Sequence, residues 1–119
     1  MADKTARDVI YDALRAIFVI GANEAPDGDT YALAYNAYLS FHAGLMATLR
    51  DVHMVSGSVW SSDAVPEEHH INVSILLAEF LPAVLPASIN RVALVSGAAD
   101  KAMSNIVLSL SRPKSKAKR

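Results

Sequence analysis

Glu67 and His70 stand three residues apart in the stretch Val65–Asn72, VPEEHHIN. Glu-x-x-His is the spacing with which helical bundles present a carboxylate and an imidazole to one metal ion. A complete site of that kind needs two such motifs and a further Glu from each of two other helices. The chain has one motif, which a symmetric dimer would double. The additional carboxylates are scarce: the strongest helical segment has no Glu, and the first offers only Asp8 and Asp12. The same residues also suit a plain helix start. Pro66 fits the first helical position, where its missing N–H costs nothing. Glu67 and Glu68 then oppose the positive end of the helix dipole. His69 and His70, being adjacent, point about 100° apart and do not converge on one ion. The expectation is no metal and no cofactor, with Glu67 and His70 as the candidate ligands if one is bound.

His42 and His53 lie eleven residues apart, about 16 Å along a helix. They face one side but cannot share an ion. With no cysteine, disulfides, thiolate metal sites and cysteine nucleophiles are excluded. No Gly-rich phosphate loop or G-x-S-x-G elbow is present. A non-enzymatic protein is expected.

At 119 residues the chain is expected to be one domain. Apolar residues reach 52% and charged residues only 19%, against roughly 45–50% and 25% in ordinary soluble domains. In so short a chain, part of that apolar surface is expected to meet another subunit. No run reaches the ~20 apolar residues of a membrane helix. The N-terminal residues lack a basic region followed by an apolar run, so no secretory signal is expected. The expected location is the cytoplasm or the interior of a viral particle.

Hydrophobic periodicity predicts an all-α bundle of four principal helices, at about 4–20, 30–53, 66–81 and 88–110, followed by a basic tail at 112–119. In the first, Ile10, Leu14 and Ile17 make the apolar stripe, and Gly21 stops it. The second is capped by Asp29 or Thr30 and repeats Tyr31, Tyr35, Tyr38, His42, Leu45, Leu49 and Val52 at alternating spacings of four and three. Its near lack of charge points to burial on more than one face. Pro82 breaks or kinks the third helix. The fourth carries Ile89, Val92, Ser96, Ala99, Met103, Ile106 and Leu110 on one face, and Gly97 is a candidate break point.

Two features point to partners. Tyr31, Tyr35, Tyr38, His42, Leu45, Leu49 and the single tryptophan, Trp60, are the candidate residues of a homo-oligomer interface. The tail holds Arg112, Lys114, Lys116, Lys118 and Arg119 and no acid, a charge of +5. Residues 1–111 set six basic residues against twelve acidic ones, a charge of −6. Such a split predicts a tail with its own partner: the phosphates of a nucleic acid, bound weakly and without sequence preference, or a neighbouring subunit. The expected function is that of a self-associating structural or interaction protein, such as a small viral or phage assembly protein or a bacterial accessory protein. A metal-binding helical dimer and a nonspecific nucleic-acid binder are the alternatives.

Overall fold

A computed structural model describes residues 4–17, 19–21, 24–52, 60–85 and 89–111. Among them are four α-helices and no strand: α1 (Ala6–Ala16), α2 (Gly28–Asp51), α3 (His70–Phe80) and α4 (Ile89–Ser111). Short 3₁₀ turns, Glu67–His69 and Leu81–Ala83, flank α3. The expected all-α class and helix number stand. The basic tail and the expected first residue of the fourth helix, Ser88, lie outside the described residues.

α1 begins with a reciprocal cap. The Thr5 hydroxyl accepts from the Asp8 N–H at 3.3 Å, and the Asp8 carboxylate accepts from the Thr5 N–H at 3.1 Å. That backbone hydrogen bond is the main reason the Asp8 carboxyl is held below its ordinary pKa. Ala6, Val9, Ile10, Ala13 and Leu14 form one buried face. The helix stops at Ala16, short of the expected Ile20. The Val19 N–H closes the end by reaching back to the Leu14 carbonyl at 2.9 Å. Ile17 and Ile20 still enter the core after the helix has ended, so their burial mimics continued helical periodicity.

Asp27 caps α2, two residues before the expected Asp29 and three before Thr30. Its carboxylate accepts from the Thr30 N–H at 2.7 Å, which lowers its pKa. α2 buries Ala34, Ala37, Tyr38, Leu45, Met46 and Leu49. Val52, placed in the expected stripe, lies beyond the helix and is exposed.

α3 begins later than expected. Pro66 precedes a 3₁₀ turn, and the α-helix proper starts at His70. It ends at Phe80, where Pro82 removes an N–H and tightens the chain into the second 3₁₀ turn. Its sequence, HINVSILLAEF, is apolar around most of its circumference, as suits a helix enclosed by others. α1 and α4 pack closely against it, while α2 touches it more sparingly.

α4 runs through Gly97 without a break, because the following residues continue a buried line of Val95, Ala99, Ala102 and Ile106. That line is rotated from the expected one, and Ser96 is exposed. The start of α3 is tied to the start of α1 by paired backbone bonds between Lys4 and Val65, at 2.8 and 2.9 Å.

Candidate functional site

α4 packs closely on α3, and α2 touches α3 more sparingly. Between them they leave a groove of about 480 Å³. Leu45 and Leu76 are buried in it, and Phe41, Phe80 and Met103 form its apolar walls. The rings of Phe41 and Phe80 meet at 5.9 Å between centroids, tilted by 47°. Phe80 nevertheless remains 41% exposed. Besides Phe41 and Leu45, α2 contributes the small lining residues Ser40, Gly44 and Thr48. A Cβ placed on Gly44 meets no atom within 4 Å. Glu79 is the one charged residue of the lining, and among the described residues it forms no ion pair. The volume falls in the range of sites that bind ligands or the side chains of a partner, ~300–1,000 Å³.

Most of the expected interface stripe lies inside the chain. Tyr38, Leu45 and Leu49 are core residues. Burial pushes the Tyr38 phenol up to about 12, and its hydroxyl donates to the Ser62 carbonyl at 2.7 Å. Tyr31 and Tyr35 stack on each other at 6.0 Å, and Tyr11 meets Tyr31 edge-on at 6.2 Å. Burial of Tyr31 raises its phenol as well. His42 Nε2 lies 2.9 Å from the Trp60 carbonyl oxygen. Trp60 itself is buried, its ring stacked on His69 at 5.0 Å and 17°. An exposed anchor at Trp60 is therefore not what the fold presents. His69 is only 2% exposed. Desolvation lowers the pKa of both His42 and His69, opposed at His42 by the Trp60 carbonyl and at His69 by Glu68.

The two adjacent histidines point to different places. His69 turns inward to Trp60, while His70 Nε2 sits 2.8 Å from an oxygen of Asp12 on α1, out of line for a hydrogen bond. Asp12 also pairs with Arg15 at 3.1 Å. Lys4, Arg7, Asp8 and Tyr11 complete a small polar hollow around them, with the Arg7 and Arg15 guanidiniums 5.8 and 5.5 Å from the Tyr11 ring centre. His70 thus meets Asp12, while Glu67, its candidate co-ligand had a metal been bound, is exposed. Among the described residues no three His, Asp or Glu side chains converge as metal ligands. Arg112, Lys114, Lys116, Lys118 and Arg119 lie outside the described residues.

Phe41, Phe80, Glu79 and Met103 were not singled out by sequence as a site. Phe41 and Phe80 come from different helices, and only their meeting makes a groove. The one available signal was the charge-poor outer surface of α2.

Fold and site together define an all-α, four-helix arrangement with an open apolar groove. The chain matches no protein-family model, no curated protein and no solved structure. Among the described residues, no helix is long and apolar enough to cross a membrane.

Proposed function

We propose that this chain is a non-enzymatic structural or interaction protein that self-associates, its groove receiving a helical face from a second copy. The observation that carries this reading is the groove itself, which the chain's own helices leave unfilled between Phe41, Phe80 and Met103. A helix laid into such a groove is a recurrent mode of recognition. The charge layout favours a copy of the same chain, since an acidic body at −6 and a basic stretch at +5 attract between molecules. A second reading rests on the tail alone: five positive charges in eight residues give weak, sequence-insensitive contact with nucleic-acid phosphates.

Light scattering of the full chain at micromolar concentration tests the first reading. Dimers or larger species are expected. Gly44→Glu should shift the equilibrium to monomer, because the new side chain enters the groove from an open position and replaces a poor helix former. A wild-type chain that stays monomeric at every concentration overturns the reading.

A further inference from the structure

We propose that the surface docking into this groove is the outer face of α4 from another copy, centred on Leu94, Lys101 and Leu108, and that copies therefore add head to tail. The proposal rests on the self-association reading above and names its contact.

Leu94 and Leu108 are 63% and 61% exposed, among the most exposed large apolar residues of the chain. They flank Lys101 at intervals of seven residues, so all three lie on one face of α4, each step about 10 Å along the axis. Lys101, like Glu79 of the groove, has no ion pair among the described residues. The groove holds one acid among apolar and small residues, and the α4 face holds one base between two leucines. The groove accommodates one seven-residue step of that face. The α2 side of the groove, from Ser40 to Thr48, runs about 12 Å. A docked helix seats one leucine against Phe41 and Phe80 and carries Lys101 to Glu79. The space at Gly97, on the edge of the same face, is open, with no atom within 4 Å of an added Cβ. Two helix backbones can approach closely there.

The direction of assembly follows from α4 alone. Met103 forms a wall of the groove, yet it lies about 180° around the helix from Leu94 and about 140° from Leu108. The two halves of the contact therefore occupy opposite sides of α4. A copy that inserts its outer face into a neighbour keeps its own groove free for a third. Such a contact is heterologous and propagates until it closes into a ring or grows as a filament.

Sedimentation velocity on the full chain separates the possibilities. The wild type should form species larger than a dimer as concentration rises. Leu94→Glu with Leu108→Glu removes the face, and Gly44→Glu with Phe80→Glu removes the groove. Each double variant should be monomeric with unchanged circular dichroism. Loss of the seated leucine alone should weaken association roughly tenfold to a hundredfold. An equimolar mixture of the two should give a dimer and nothing larger, since one working face and one working groove remain. A mixture that stays monomeric, or that forms larger species, overturns the proposal. Glu79→Lys and Lys101→Glu provide a second arm that leaves every apolar residue in place: each should weaken assembly, and both in one chain should restore it. A wild-type assembly untouched by the Leu94 and Leu108 changes overturns this contact while leaving groove-mediated association standing. A wild type that never assembles overturns both.

Discussion

Removing one oxygen from the core should reverse the order of stability between pH 7 and high pH. Tyr38 is fully buried on α2, and its hydroxyl donates to the Ser62 carbonyl at 2.7 Å. Tyr38→Phe keeps the ring and loses that bond. A net hydrogen bond contributes about 1 kcal/mol, so the variant should be less stable than the wild type by about that amount at neutral pH. Burial, together with the nearby Asp63 and Tyr35, raises the phenol from 10.0 to about 12. A phenol with a higher pKa folded than unfolded keeps its proton while the unfolded chain releases its own. Its contribution to stability is complete below about pH 10 and is lost as pH rises toward about 12. By about pH 11 the wild type should have lost about 1.4 kcal/mol through this group, which already exceeds the hydrogen bond. The phenylalanine variant has no such loss. Urea unfolding of both proteins at pH 7 and at about pH 11, followed by circular dichroism, measures the difference while the other tyrosines and lysines cancel. The variant should be the less stable at neutral pH and the equal or better at high pH. A difference that stays constant with pH would mean that Tyr38 titrates like an exposed tyrosine, and the burial argument would fail.

Acid should act through the histidines around Trp60. Burial holds His42 and His69 below the ordinary 6.5, so the unfolded chain takes up protons first; stability should be full above about pH 6.5 and fall beneath it, and His42→Gln should flatten that slope in thermal melts. Asp8 and Asp27, with lowered pKa values, add a separate loss only as pH falls below 3.8. For the tail, deleting residues 112–119 should abolish the weak binding of the intact chain to a mixed-sequence DNA duplex in low salt; fluorescence anisotropy that shows equal binding by both proteins would remove the tail from that role.

The helices were legible in sequence because their stripes are local. In α1, Ile10 and Leu14 are buried as their spacing predicts. The helix end was misread because Ile17 and Ile20 are buried outside it, and periodicity cannot tell a helical residue from an apolar one that follows the helix into the core. The site was less legible for a related reason. Glu67 was the obvious neighbour of His70 along the chain, but α1 packs on α3 and brings Asp12 instead. Sequence spacing reports which residues share an element, whereas both the Asp12–His70 pair and the Phe41–Phe80 groove depend on how two elements cross. The α2 stripe shows the same limit. Its heptad-like repeat marks a buried face, yet Tyr38 and Leu49 are buried within one chain and not between two.

The central position of α3 also sets the order of folding. α1 and α2 are complete by Asp51, but α1 packs mainly on a helix that begins at His70. Their pairing must close a long loop before any contact repays the lost chain entropy, which slows folding relative to a bundle in which each helix packs on the next. During synthesis α1 leaves the ribosome with Val9, Ile10 and Leu14 on its apolar face and lacks its main packing partner until α3 has emerged behind it. The nascent chain is therefore most exposed to misassociation and to chaperones midway through translation, and a ribosome that pauses before Phe80 prolongs that interval.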